Sequence, residues 1–280
     1  AAAGRSDRPR RPTRERGPEQ AESARHRPRR VEPVIPDDVT GRELDRAVRA
    51  ELSSLAKLNA EAVARHLVMA GRLLDTDPEA AYLHAKAAQA RAGRVGAVRE
   101  AAGLAAYATG RFAEALSELR AARRITGDDS LLPVLADCER GLGRPERALA
   151  LAATPEVKAL PAAARVEMLI VASGARRDLG QAEAAVLALQ GPQLRPEARR
   201  PWSARLFYAY AEALLDAGRR DEAAQWFGHA AAADTAGETD ADERQAELHG
   251  IVFLEEPADE EPADEEPPGA GPADGESPAR

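Results

Sequence analysis

Four stretches of this chain carry one signal: GRFAEAL at 110–116, GRPERAL at 143–149, GQAEAAV at 180–186 and GRRDEAA at 218–224. A glycine can take the left-handed backbone conformation that closes a helix. The acid that follows within a few residues belongs in the first turn of a new helix, where negative charge is favoured, and the alanines continue that helix. Each stretch therefore predicts a sharp reversal between two helices. The glycines stand at 110, 143, 180 and 218, steps of 33, 37 and 38 residues, and a glycine-free counterpart, DTDPEAA, precedes them at 75–81.

Residues 206–233 show what lies on either side of such a reversal. Phe207, Tyr210, Ala211, Leu214 and Leu215 recur at three- and four-residue steps and line one face of a helix that Gly218 ends. Ala223, Ala224, Phe227, Ala230 and Ala231 line the next, whose small residues permit close approach while Trp226 and Phe227 fill the space nearer its middle. One such hairpin leaves an apolar face open. Stacking on copies of itself is the way to cover it.

The period and the residues resemble the tetratricopeptide repeat (TPR) superfamily. The 206–233 unit supplies Phe207, Ala211, Gly218, Ala223, Phe227 and Ala230; the second unit supplies Gly103, Gly110, Ala115, Leu119 and Ala122. The third and fourth keep Leu132, Ala136, Gly143, Ala148 and Leu169, Ser173, Gly180, Ala185, but Pro155 and Pro192 replace their closing alanines, so their second helices should be short. The stretches IPDDVTGRELD and HLVMAGRLLDTDPE also look like an actinobacterial TPR group, a likeness that brings no activity with it. The expected fold is all-α, a right-handed superhelical TPR solenoid of about five degenerate repeats. It occupies residues 37–254 with a lead-in helix, in which Thr40 and Glu43 have capping-box spacing ahead of Leu44, Val48 and Leu52, and a thin closing helix carrying Ala241, Ala246 and Leu248.

The flanks differ in composition. Residues 1–36 are rich in arginine and proline, including Arg8, Arg10, Arg11, Arg14 and Arg16, and read as a disordered basic arm. It serves either as a solubilising tail or as a contact for nucleic-acid phosphates, although no aromatic residues interleave the arginines to stack on bases. Residues 255–280 open on EEPADEEPADEEPP and read as a disordered acidic tail. The net charge is −8 and aromatics make up only 4% of the chain, so the core should be close-packed rather than bulky. No run is long and apolar enough for a membrane span or a signal-peptide core, and a lone cysteine, Cys138, rules out an internal disulfide, which together give a cytoplasmic expectation. The chain begins AAAG rather than with methionine, which leaves its natural start open.

Catalytic and metal-binding patterns are missing. His26, His66, His84, His229 and His249 are scattered, and no HExxH, paired cysteines, GxxxxGK[ST], GxSxG or strand-borne GxGxxG occurs, so neither an enzyme nor a cofactor or metal is expected. What remains is recognition by a surface. The TPR resemblance implies a concave groove lined by first helices, with a protein or peptide partner. Mapped residue by residue, its candidate binding positions are Arg65, Arg72, Tyr107, Arg140, Arg177, Arg205 and Tyr208. Arg72, Arg140 and Arg177 share one repeat position, where guanidinium groups suit carboxylates or phosphates.

Overall fold

The computed structural model describes residues 32–251, and within them the chain is helical, with twelve α-helices and no strand. The basic arm up to residue 31 and the tail from residue 252 lie outside the described residues. A short helix α1 (Arg46–Leu52) leads into five pairs: α2 (Lys57–Leu73) with α3 (Pro78–Ala92), α4 (Gly96–Ala108) with α5 (Phe112–Thr126), and α6 (Leu132–Gly141) with α7 (Pro145–Ala152). A 3-10 turn at Pro155–Ala159 precedes α8 (Ala162–Asp178) with α9 (Ala182–Leu189) and α10 (Ser203–Asp216) with α11 (Arg220–Ala233). Helix α12 (Ala241–Leu248) follows.

The reversals form as their residues require. Gly110, Gly143, Gly180 and Gly218 all have φ between 68° and 75°, a region closed to most side chains. In each, the amide after the glycine reaches back to the carbonyl five residues earlier: Arg111 to Ala106, Arg144 to Glu139, Gln181 to Arg176 and Arg219 to Leu214, at 2.8–2.9 Å. This six-to-one bond satisfies carbonyls that a helix end leaves free. The turn without glycine is closed differently: the Asp77 carboxylate accepts from the Ala80 amide at 3.0 Å and Pro78 takes the first helical position, needing no donor.

Short side chains set the helix spacing. Ala115, Ala148, Ala185 and Ala223, one per reversal, have no exposed surface, and neither do Ala81, Ala85, Ala102, Ala105, Ala136 and Ala211. At Gly103 a Cβ would stand 2.6 Å from the Leu119 side chain, so the α4–α5 crossing needs glycine. The large residues Phe207, Phe227, Leu119 and Leu132 fill what remains. Pairs pack on their successors, and α2 touches α4, α6 touches α8 and α8 touches α10 directly. Helices α7 and α9 have eight residues against fourteen or fifteen in α3, α5 and α11, the shortening that the two prolines predict.

Two local expectations are corrected. Thr40 does not cap a helix: its amide and hydroxyl donate to the Glu43 carboxylate at 3.0 and 3.1 Å, and that bonding closes a turn before α1, whose cap position is Asp45. These bonds hold the Glu43 carboxyl down at about 2. Helix α1 is instead docked by Glu51, whose carboxylate accepts from the Ala97 amide at 3.0 Å and so caps α4 from another helix. Glu118, next to exposed Ser117 on α5, is drawn in by Arg99 at 2.5 Å and keeps only 13% of its side chain in solvent. In addition, Glu32 to Pro36, the end of the stretch read as basic arm, lie against α2 and α3, where Arg65 donates to the Pro36 and Val39 carbonyls and Val39 is buried.

Replacing Gly103 by alanine or Ala115 by leucine should cost about 1–3 kcal/mol, because the Leu119 side chain and its neighbours must leave their rotamers. Exposed Ser117 in the same helix is the control, and urea denaturation of Gly103→Ala, Ala115→Leu and Ser117→Ala checks the register.

Candidate functional site

The candidate groove residues fall on first helices, and the structure assigns most of their polar atoms to partners within the chain. The Tyr107 hydroxyl on α4 donates to Asp137 of α6 at 2.5 Å. Arg140 of α6 donates to Asp137 at 2.7 Å and, through two nitrogens, to Asp178 of α8 at 2.8 and 3.2 Å. From α8, Arg177 donates to Asp216 at 2.6 Å and to Glu212 at 2.8 Å, both on α10. Glu212 then accepts from Arg244 of α12 at 2.8 Å with its other oxygen. A ladder of charged hydrogen bonds thus runs from α4 to α12, joining successive first helices and, through its last rung, α10 to α12.

Helix ends explain where the ladder lies. Arg140 and Arg177 stand in the last turns of their helices, where exposed carbonyls favour positive charge, and Asp178 and Asp216 sit at the same end within reach of the preceding helix. Gly174 allows the approach, since a Cβ there would meet the Arg140 guanidinium at 2.5 Å. The Tyr107 hydroxyl is pushed well above the usual phenol range, first by burial and then by donating to Asp137.

The other candidates divide. Arg72 pairs with Asp38 at 3.0 Å and Arg65 with backbone carbonyls, so both hold the segment before α1 on α2. Arg205 pairs with Glu167 at 2.5 Å, and Tyr208 packs edge-on against Phe227 with ring centres 5.3 Å apart. The arginines read from sequence as receivers of partner carboxylates therefore already hold carboxylates of their own chain. Spacing alone could not reveal this, because, Asp137 apart, the acids that meet Arg140 and Arg177 lie 35–39 residues further on.

One cluster that the sequence did not bring together joins α2 to α3. His66 and His84 face each other with their Nδ1 atoms 3.0 Å apart and are 2% and 3% exposed. One ring must donate and the other accept, so the accepting ring is neutral and the two cannot both be protonated while this bond stands. Burial holds both below their ordinary 6.5, with Glu32 beside His66 raising it and Arg91 and Arg65 lowering it. Glu32 itself is held by a bidentate bond from Arg91 at 3.0 and 2.7 Å. Among the described residues no group of three or more metal-binding side chains forms. Cys138 is buried and its thiol is pushed up to about 12 by burial, which makes it a packing residue rather than a nucleophile.

A cleft opens where α1, α2 and α4 meet, lined by Leu44, Val48, Leu67, Leu74 and Leu104 with Glu100 as its one carboxylate. Burial raises the Glu100 pKa, and Asp128 and Glu51 raise it further.

Two outcomes are expected. Because the unfolded chain protonates these histidines near 6.5 and the folded chain only at lower pH, their stabilisation is present above 6.5 and is lost as pH falls below it. Urea midpoints should drop between pH 7.5 and 5.5, and drop less in His84→Gln. Arg177→Ser should cost about 1–2 kcal/mol by the same assay, since Glu212 and Asp216 lose charged bonds at a half-buried position.

Among the described residues no helix is long and apolar enough to cross a membrane. No protein-family model matches the chain and no curated protein matches it.

Proposed function

We propose that this chain is a TPR scaffold without catalytic activity, which holds a segment of a partner protein along the face formed by α2, α4, α6, α8 and α10. The observation that carries this reading is where the ladder runs. Its rungs occupy the last turns of the first helices, next to the reversal glycines, and fix helix spacing along one edge. Side chains in the middles of the same helices, Leu104, Ile170 and Tyr208 among them, are only partly buried. Regular spacing along one edge with partly buried positions beside it suits an extended ligand, since the receptor loses little conformational freedom on binding.

The arginines serve this face as framework. Arg140 and Arg177 use most of their directional donors within the chain, and a ligand meets positions that they hold apart. An inert buried thiol fits work in a reducing compartment such as the cytoplasm.

Photo-crosslinkers placed singly at Leu104, Ile170 and, on the second-helix side, the 65%-exposed Leu187 test the reading. The full chain should crosslink to retained protein from Leu104 and Ile170 and not from Leu187. Crosslinks from Leu187 alone would reject the face. Removal of residues 1–31, which spares the docked Glu32 to Pro36, should leave the crosslinks in place; their loss would move the contact to the basic arm.

A further inference from the structure

Glycine inside a helix weakens it, because it has more backbone freedom to lose than alanine. The helical glycines of this chain are nearly all accounted for by a neighbour. A Cβ at Gly103 would strike Leu119, at Gly141 the Phe112 ring, at Gly174 the Arg140 guanidinium and at Gly228 the Gln245 amide, each far inside contact distance. Gly71 is different. It lies within α2, has no left-handed backbone to demand glycine, and a Cβ there meets nothing within 4 Å. Nothing among the described residues uses the space that Gly71 leaves.

That space is the cleft between α1, α2 and α4. It holds about 190 Å³, and Leu67 and Leu74 on α2, Leu104 on α4 and Leu44 and Val48 before and on α1 form its walls. Glu100 is the one ionisable group in this lining, and among the described residues no cation and no hydrogen-bond donor pairs with it. The two charged groups that act on it are also acids. Glu51 is committed to the Ala97 amide and Asp128 to Ser130, at 3.0 and 2.7–2.8 Å. A carboxylate left among leucines beside two further acids is poorly solvated and repelled, and an arriving ammonium or guanidinium relieves both.

We infer that this cleft receives a polypeptide segment of the partner, seated by a large aliphatic side chain over Gly71 and by an adjacent lysine or arginine on Glu100. The inference deepens the proposed function and rests on it, since the cleft opens among the first helices at the start of the binding face. The choice of a cationic segment follows from charge complementarity: the apolar walls accept an aliphatic side chain, and the one carboxylate of the described lining, Glu100, favours positive charge.

Three fluorescein-labelled dodecapeptides, alternating leucine with lysine, serine with lysine and leucine with glutamate, distinguish these contributions by fluorescence anisotropy with the full chain. The leucine–lysine peptide should bind at least tenfold more tightly than either other. Gly71→Leu fills the cleft from the chain's own side and should weaken that peptide at least tenfold while leaving the melting temperature equal or higher. Glu100→Gln should weaken it comparably with no loss of melting temperature, and Glu100→Asp should restore part of the affinity. Equal binding of leucine–lysine peptide by wild type and Gly71→Leu overturns the cleft as the seat. Equal binding of the leucine–glutamate peptide overturns the cationic partner. Crosslinks of retained protein from Ile170 but not from Leu104 would overturn this inference while leaving the binding face intact, whereas crosslinks from Leu187 alone would remove both.

Discussion

Close approach of helix backbones is the constraint that the rest of this structure obeys. With aromatics at 4% of the chain, few side chains are large enough to fill wide gaps, and helices joined by alanine must come together until their backbones nearly touch. The fully buried Ala115, Ala148, Ala185 and Ala223 mark those contacts, and Gly103 marks one where even a methyl is too much. Each short side chain contributes little buried area, so cohesion comes from many such contacts repeated along the stack. Where the chain does carry bulk, at Phe207, Trp226 and Phe227, it gathers it in the last pair, which among the described residues is followed by the thinly apolar α12 alone.

Small residues give proximity but little directional preference, and the ladder supplies direction. A slide of one first helix along its neighbour would break paired bonds, from Arg140 to Asp178 or from Arg177 to Glu212 and Asp216, at positions where the partners keep between 16% and 41% of their side-chain surface in water. Partly screened pairs of this kind contribute modestly to stability, yet they distinguish one register from others that bury similar apolar area. The bridge through Glu212 extends this to α12, whose apolar face alone, Ala241 and Ala246, is small.

The helical pairs and their turns were legible because each rests on local chemistry: glycine where φ is positive, aspartate and proline where Asp77 and Pro78 stand, alanine where helices cross. The prolines at 155 and 192 gave the short second helices for the same reason. What escaped were partnerships across pairs. Glu118 looks like a surface acid until Arg99 is seen beside it, and His66 and His84 are separated by eighteen residues and a turn before they meet. Arg140 and Arg177 lie where a groove would place them, but a spacing rule says nothing about the carboxylates arriving from the following helix. Thr40 and Glu43 satisfied a helix-start pattern and made a turn instead, since the same two side chains can serve either.

The bonds of the ladder are spaced almost as the units are: Arg140 reaches Asp178 across 38 residues and Arg177 reaches Asp216 across 39. Every reversal also closes its own backbone bonds without help from neighbouring units. Excision of one unit would therefore bring Asp216 to the place that Asp178 holds before Arg140, and duplication of one would present another arginine to another aspartate. The chain carries, in the same few residues that hold it together, a joint that tolerates gain or loss of a whole unit, and so a means by which the length of its face can change over evolution while its edge stays in register.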